Sequence, residues 1–185
     1  MQDNGFVPLF DGRTLHGWEH VDNDAGWSVK DGAIDCDGAG QGRNWLRTQR
    51  PYADFVLRLE FAIGDGGNSG VFVRSQLEGR PAYNGFEMQI LGDHGMPASP
   101  KSTGALYDAV APAHNVAKPA WEWQDVEITC VGPRIAIVLN SERIVDVNCD
   151  EHDLLVNRPR QGYIGLQNHH TPVKFRNVRV SELAG

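Results

Sequence analysis

Residues 66–91 (GGNSGVFVRSQLEGRPAYNGFEMQIL) carry side chains that could do acid/base chemistry, on two strand-like runs joined by a turn region. Successive residues of a strand face opposite sides, so Glu87 and Gln89 share one face, opposite the apolar residues between them. The same alternation puts Arg74, on the preceding run, on a face that neighbouring strands would share. Carboxylate, amide and guanidinium groups on one surface can bind a polar ligand and exchange protons. We predict a site at Arg74, Glu87 and Gln89.

Such alternation most often marks a face that meets water. Two neighbouring features favour a site instead. The glycine-rich residues 66–70 allow a ligand to approach the backbone closely, and the long polar segment 92–118 could wall a groove.

That polar segment and the residues just after it supply most of the acid, base and ring types that sugar chemistry uses. Asp93 and Tyr107 are candidate acids, Lys118 is a candidate cation, and Trp121 could stack on the apolar C–H face of a sugar. A small carbohydrate is the predicted ligand.

A third group, Asn168, His169 and His170, closes a predicted strand. A histidine beside carboxylates could shuttle a proton near neutral pH or bind a divalent cation. Because adjacent strand residues point to opposite faces, we expect only one of the two histidines to look into a groove. These residues alone do not decide between a catalytic and a metal-binding histidine. No GxSxG, phosphate-loop, CxxC or HExxH motif occurs, which argues against the commonest hydrolase, nucleotide-binding and zinc-protease sites.

Composition limits the partners. The net charge of −7 and the pI near 5.4 argue against nucleic acid and anionic membranes as partners. No apolar run reaches the roughly 20 residues that span a bilayer, and the start MQDNGFVPLF lacks the basic end and apolar core of a signal peptide. Cys36, Cys130 and Cys149 are interpreted mostly as buried thiols, with a bridge between the last two left open.

The elements that must position these residues are short strands. The sequence predicts about ten to thirteen of them, no convincing helix, and turns at the spacing typical of a sandwich or barrel. We therefore predict an all-β fold: one domain over residues 1–185, formed by two antiparallel sheets packed as a concanavalin-like, lectin-like jelly roll.

Taken in order, these motifs resemble those of the 3-keto-disaccharide hydrolase domain family, and nearly the whole chain matches. The resemblance rests on these motifs: LFDG at 9–12 with Leu15 and GW at 17–18, GNSG at 67–70 with Arg74, YNGFEMQI at 83–90, TGALY at 103–107, KP at 118–119 before Trp123, GLQ at 165–167 with His169, and FRNV at 175–178.

The resemblance implies a jelly-roll enzyme that acts on glycosides whose C3 hydroxyl group is oxidised to a ketone. Because members of this family are usually exported, it also implies a periplasmic or extracellular location, although this chain shows no export signal. For such a reaction we predict Glu87 or His169 as the base, Tyr107 or Asp93 as the acid, and Arg74, Lys118 or a divalent cation as the electrophile. The predicted substrate-binding residues are Asn68, Arg74, Gln89, Lys118, Trp121 and Gln167.

The sequence leaves two other functions to consider. A non-catalytic carbohydrate-binding module would use the same sandwich with a ring-lined face but without an acid/base pair. A retaining glycosidase needs two carboxyl groups about 5 to 5.5 Å apart, and Gln89 stands where the second would sit beside Glu87.

Overall fold

The computed structural model describes residues 5–42 and 44–183, which form thirteen strands and one short 3-10 turn at Cys149–Glu151. All strand pairs are antiparallel and belong to two sheets. The predicted all-β, two-sheet fold is therefore confirmed. Among these described residues, no helix is long and apolar enough to cross a membrane.

The larger sheet has eight strands. Its spatial order is β11 (Glu142–Asn148), β10 (Arg134–Leu139), β9 (Gln124–Val131), β6 (Phe55–Ile63), β13 (Val173–Glu182), β4 (Ala33–Cys36) and β3 (Trp27–Lys30), with β1 (Val7–Pro8) paired to β13. The smaller sheet is ordered β2 (Trp18–Val21), β5 (Trp45–Thr48), β12 (Tyr163–Gln167), β7 (Asn68–Ser75) and β8 (Phe86–Leu91).

The core lies between the two sheets and follows from strand alternation. In β6, the alternate residues Phe55, Leu57, Leu59 and Phe61 are buried, while the three residues between them are half-buried. Val71 and Val73 of β7 face them from the smaller sheet and are equally buried. Each such side chain stabilises the fold by about 1.5–3 kcal/mol relative to exposure, so the alternation fixes which face of each sheet turns inward.

Turn chemistry accounts for the local connections. The predicted hairpin of β3 and β4 turns at Asp31 and Gly32, whose φ angles are +51° and +75°. Asp and Gly tolerate this left-handed backbone, which matches the twist of the paired strands. The predicted meander of β9, β10 and β11 is also present.

The long polar segment predicted at 92–118 lies between β8 and β9 and, as the structure describes it, contains no regular strand. It nevertheless continues the smaller sheet beyond β8. The N–H of Gln89 donates to the carbonyl of Ala105 at 3.0 Å, and the N–H of Tyr107 donates to the carbonyl of Glu87 at 2.9 Å. These bonds hold the segment along the outer edge of β8.

The three cysteines are buried and carry free thiols, which confirms their interpretation as buried thiols. Burial raises the pKa of the Cys36 thiol to about 11, so it stays protonated at neutral pH.

Candidate active site

A groove of about 240 Å³ opens on the face of the smaller sheet that points away from the core. Its floor comes from four neighbouring strands, β5, β12, β7 and β8, because alternation sends every second side chain of each strand to this face. The floor residues are Trp45, Asn68, Phe72, Glu87, Gln89 and Gln167.

Glu87 is the buried acid of this groove, with only 3% of its surface exposed. Burial raises the pKa of its carboxyl group to about 8, because desolvation disfavours the charged form. A hydrogen bond from the Gln167 side chain and the positive charge of Arg80 act in the opposite direction but do not cancel it. Glu87 can therefore exchange a proton near neutral pH.

Gly70 makes room for this carboxyl group. It lies on β7 beside Glu87's own strand, and a Cβ atom there would stand 2.3 Å from Glu87 Oε1. The sequence suggested that the glycine-rich run makes room for a ligand. At position 70 the absent side chain instead makes room for Glu87, whose carboxyl group lies across β7.

Gln89 and Asn68 form the second polar pair, and both reach the groove as predicted. Gln89 Nε2 donates to Asn68 Oδ1 at 2.8 Å. The backbone of Asn68 is held by Thr171, whose hydroxyl group accepts from its N–H at 2.8 Å and donates to its carbonyl at 2.6 Å. The two amides are thereby held in place for a polar ligand.

An aromatic pair completes the floor, and sequence reasoning did not identify it as part of a site. The rings of Trp45 and Phe72 meet edge to face with centroids 5.3 Å apart. Gly165 packs directly against the Trp45 ring. A Cβ atom at position 165 would stand 2.2 Å from that ring, so a side chain there would clash with it. Strand alternation puts each of the two rings on the outer face of its own strand. That the rings meet could be predicted only by knowing that β5 and β7 flank β12.

Two walls flank the floor. Tyr107 is placed by its backbone bond to Glu87, and its ring meets Tyr83 edge to face at 6.2 Å. Arg80, an exposed side chain in the turn between β7 and β8, also lines the groove. Among the described lining residues it is the only arginine or lysine, and the sequence interpretation assigned its segment only to a turn.

The other wall is the turn at Asn168, His169 and His170. Asn168 Oδ1 accepts the backbone N–H of His170 at 2.9 Å, while its Nδ2 donates to the carbonyl of Ala39 at 2.7 Å. The φ of His170 is +61°, so alternation ends there and both exposed histidines border the groove. The expectation that only one would do so was wrong.

Arg74 is not in the groove, and that prediction was wrong. Its φ is +52°, a left-handed value that breaks the alternation of β7. The guanidinium group is fully buried and donates to the carbonyls of Ala53 at 2.8 Å and Gly132 at 2.7 Å and to Asp54 Oδ1 at 2.8 Å. Arg74 joins β7 to the chain before β6 and after β9.

Three residues predicted from the loop also lie outside the groove lining. The carboxylate of Asp93 accepts the N–H and hydroxyl of Thr103 at 3.0 and 2.8 Å. Lys118 Nζ donates to the carbonyl of Trp123 at 2.9 Å, and Trp121 is half exposed elsewhere on the surface. These side chains stabilise the loop and its neighbours rather than meeting a ligand in the groove.

The donors available for a cation are few. Within residues 5–42 and 44–183, no three His, Cys, Asp or Glu side chains cluster to hold a metal ion. The groove offers one buried carboxyl group, Glu87, and the two exposed histidines. Two histidines and a carboxylate are a ligand set that zinc can use, but among the described residues these three side chains do not lie close enough together to hold an ion, so no chemical step is assigned to a cation below.

The chain is similar to known proteins in both sequence and fold. Residues 5–181 match the family model described as a 3-keto-alpha-glucoside-1,2-lyase-like domain. A 3-keto-disaccharide hydrolase of Bacteroides thetaiotaomicron is 26% identical, the match covering 97% of this chain and 79% of that protein.

Solved structures share the fold. A predicted glycosyl hydrolase of Parabacteroides distasonis superposes with a TM-score of 0.83 at 26% identity, covering 97% of this chain and all of the other. A carbohydrate-binding module of Bacillus subtilis has a TM-score of 0.65 at 19% identity, covering 90% of this chain and 96% of the module. The second likeness concerns the fold alone.

Proposed function

The chain belongs to the family of 3-keto-alpha-glucoside-1,2-lyase-like domains, and on that basis we propose that it is an enzyme cleaving glycosides, such as disaccharides, whose C3 hydroxyl group has been oxidised to a ketone. One observation of the site carries the proposal. Glu87 is a carboxyl group buried in a groove with its pKa raised to about 8. A pure binding face has no need of such a group.

The substrate's ketone explains why one base suffices to begin the reaction. A C3 carbonyl acidifies the proton on C2, so a base can remove that proton and leave an enolate. The enolate then expels the substituent at C1, and water adds to the resulting enone to complete a net hydrolysis. The enzyme must supply a base, a group that stabilises the enolate oxygen, and an acid for the leaving oxygen.

Glu87 is the proposed base. A carboxylate whose pKa is about 8 binds a proton more tightly than an ordinary one, and a base works best when its pKa lies near the working pH. Its burial also removes the water that would otherwise compete for the carboxylate oxygens.

Arg80 is the proposed partner of the enolate oxygen. Among the described residues that line the groove it is the only arginine or lysine, and its charge already acts on Glu87. It takes the role that the sequence interpretation gave to Arg74 and Lys118, which are engaged elsewhere. A cation aimed at developing negative charge lowers the barrier of such a step.

Two groups can protonate the leaving oxygen, His169 on one wall and Tyr107 on the other. The amides of Asn68 and Gln89 present donors and acceptors to sugar hydroxyl groups from the floor, whereas the side-chain oxygen of Gln167 is buried.

The alternative function is a non-catalytic carbohydrate-binding module. The fold shared with such a module favours it, and the buried Glu87 distinguishes the two. A retaining glycosidase is disfavoured, because Glu87 is the only carboxyl group among the described residues lining the groove.

The test is aglycone release from a 3-keto-glucoside by the purified protein, with the unoxidised glucoside as the control substrate. We expect cleavage of the ketone alone, and a loss of about 10²-fold or more in kcat for Glu87→Gln. Glu78→Gln, an exposed position in the turn between β7 and β8, is the matched control and should keep wild-type activity. Full activity in both Glu87→Gln and His169→Ala would refute the proposed roles.

The same assay tests the predicted divalent cation. Protein dialysed against a chelator is compared with protein supplied with magnesium, manganese or calcium. Equal rates mean that the reaction proceeds on the chain's own residues.

A further inference from the structure

The side-chain oxygen of Gln167 is buried, and it has no hydrogen-bond partner within the part of the chain that the structure describes. Both side chains line the groove, and the Gln167 amide, acting as a hydrogen-bond donor, lowers the pKa of the Glu87 carboxyl group. A buried acceptor without a donor is unfavourable, so this oxygen requires an explanation.

Strand register explains how the two groups meet. Glu87 lies on β8 and Gln167 on β12, and β7 runs between them. Leu166 pairs with Val71, which brings Gln167 alongside Gly70, the residue that Glu87 overhangs. The gap above the glycine therefore lets a side chain from each flanking strand reach the other.

The backbone of Gln167 is also anchored. The hydroxyl group of Ser69, on the intervening strand, donates to the Gln167 carbonyl at 2.7 Å. The amide therefore has a constrained starting point next to the carboxyl group.

We infer that Gln167 is a positioning residue for Glu87, whose amide nitrogen donates to the ionised carboxylate and whose amide oxygen accepts the O–H of the protonated acid. A carboxylic acid carries an O–H donor and a carbonyl acceptor on one carbon, and a primary amide carries an N–H donor and a carbonyl acceptor in the same arrangement, so the two groups can form two hydrogen bonds side by side. Ionisation removes the acid's O–H and leaves the bond from the amide nitrogen. The amide oxygen lacks a donor only while Glu87 is charged.

This inference rests partly on the proposed function, because it matters most for a base that gains and loses a proton in each turnover. In that reaction the C2 proton moves to a Glu87 oxygen, and the C–H electron pair stays on the substrate as the enolate. Gln167 keeps the carboxyl group in one orientation before and after this transfer, and it neither gains nor loses a proton itself.

Two variants test it. Gln167→Met keeps the length of the side chain but removes both the donor and the acceptor. Because a hydrogen bond to a charged carboxylate is stronger than one to its neutral form, its loss should move the Glu87 titration midpoint up by about one pH unit. We expect kcat to fall about tenfold, with KM within about twofold of wild type.

Gln167→Glu replaces the amide with a second carboxyl group, which can imitate it only while the pair shares one proton. The two groups should titrate as a coupled pair with separated midpoints. Activity should therefore peak between them and fall at higher pH, where wild-type activity stays level.

The titration is followed by ¹³C NMR of carboxyl-labelled glutamate without substrate, with the Glu87 signal assigned by its loss in Glu87→Gln. This reading does not depend on the reaction, so a shifted midpoint in a protein that cleaves no 3-keto-glucoside would refute the proposed function and support the pairing. Gln161→Met, an exposed position, is the control and should titrate like wild type.

An unchanged Glu87 midpoint in folded Gln167→Met, with kcat and KM of wild type, would overturn the inference. Thermal melts establish that the variant is folded. If Gln167→Met does not fold, Gln167→Glu decides the matter, and a single unshifted midpoint would overturn the inference.

Discussion

The carboxyl group of Glu87 occupies the space that a side chain on Gly70 would fill, with Oε1 2.3 Å and Cγ 2.8 Å from the position of a Cβ atom. Gly70 belongs to the strand next to Glu87's own, so the packing of the proposed base depends on the residue type of a neighbouring strand. Since these contacts involve an acid that is only 3% exposed, Glu87 has little room to adjust.

Gly70→Ala should therefore displace Glu87 and lower kcat by about 10²-fold, close to the loss from removing the carboxylate. Steady-state kinetics of Gly70→Ala, Glu87→Gln and the double variant measure this effect. Because both changes act on one group, the double variant should be about as slow as Glu87→Gln alone. Losses that simply multiply would contradict the relationship.

The pH dependence of the reaction follows from the pKa of Glu87, which burial raises to about 8. As a base it must be ionised, so kcat/KM should rise about tenfold per pH unit below pH 8 and level off above it. A pH profile with a 3-keto-glucoside of neutral aglycone measures this. A profile that levels off near pH 5, or that falls through pH 8, would contradict the assignment.

The same shift predicts a pH-dependent stability. The usual pKa of 4.5 applies to the unfolded chain and the raised value to the fold, so the folded state binds more protons between these values. Glu87 therefore costs the fold stability as the pH rises from about 4.5 to about 8, by at most roughly 1.4 kcal/mol per pH unit. The glutamine in Glu87→Gln does not titrate. The free energy of unfolding of this variant should therefore rise relative to that of wild type as the pH increases over this window.

Urea denaturation of both proteins at pH 5, 7 and 9 measures that difference. Glu78→Gln, which changes an exposed carboxyl group, should follow wild type at all three values. A constant difference between Glu87→Gln and wild type would show that the carboxyl group is not buried in its neutral form.

Arg80 is expected to act on the enolate rather than on the fold, because its side chain is exposed at the groove. Arg80→Gln should lower kcat by about 10²-fold with little change in melting temperature, and Arg80→Lys should restore part of the rate. Arg13→Gln, at another exposed arginine, is the control. Wild-type kinetics in Arg80→Gln would exclude this role.

Arg74 should show the opposite pattern. Removing its buried guanidinium group in Arg74→Met leaves two carbonyls and the Asp54 carboxylate without that donor, so the fold should lose about 3–5 kcal/mol. Below its unfolding temperature the variant should keep wild-type kcat/KM. Kinetics and denaturation on the same preparation separate the two effects. A loss of activity at unchanged stability would show that Arg74 acts in the site rather than in the fold.

Strand alternation predicted Glu87 and Gln89 on one face correctly, because it needs only the local backbone. It failed at Arg74 and at His170, where φ angles of +52° and +61° interrupt the pattern and no glycine announces the change. The composition of the 92–118 segment suggested ligand contacts for Asp93, but composition does not set direction, and the nearby Thr103 satisfies that carboxylate instead.

The residues that were not foreseen depend on long-range order. Trp45 joins Phe72 only because β12 lies between their strands and contributes Gly165 at that level. Arg80 sits in an irregular turn without periodicity, so nothing in its neighbours indicated that it would border Glu87. Pairing across a sheet, which a single sequence does not specify, determined both.

The segment that delivers Tyr107 to the groove also occupies the open edge of β8, through its bonds to Glu87 and Gln89. An unpaired edge strand invites pairing with another chain and so promotes aggregation. Substitutions in this loop that alter substrate preference can therefore also promote aggregation, because loosening the loop would expose the unpaired edge of β8. Variants of the loop are best screened for light scattering together with turnover.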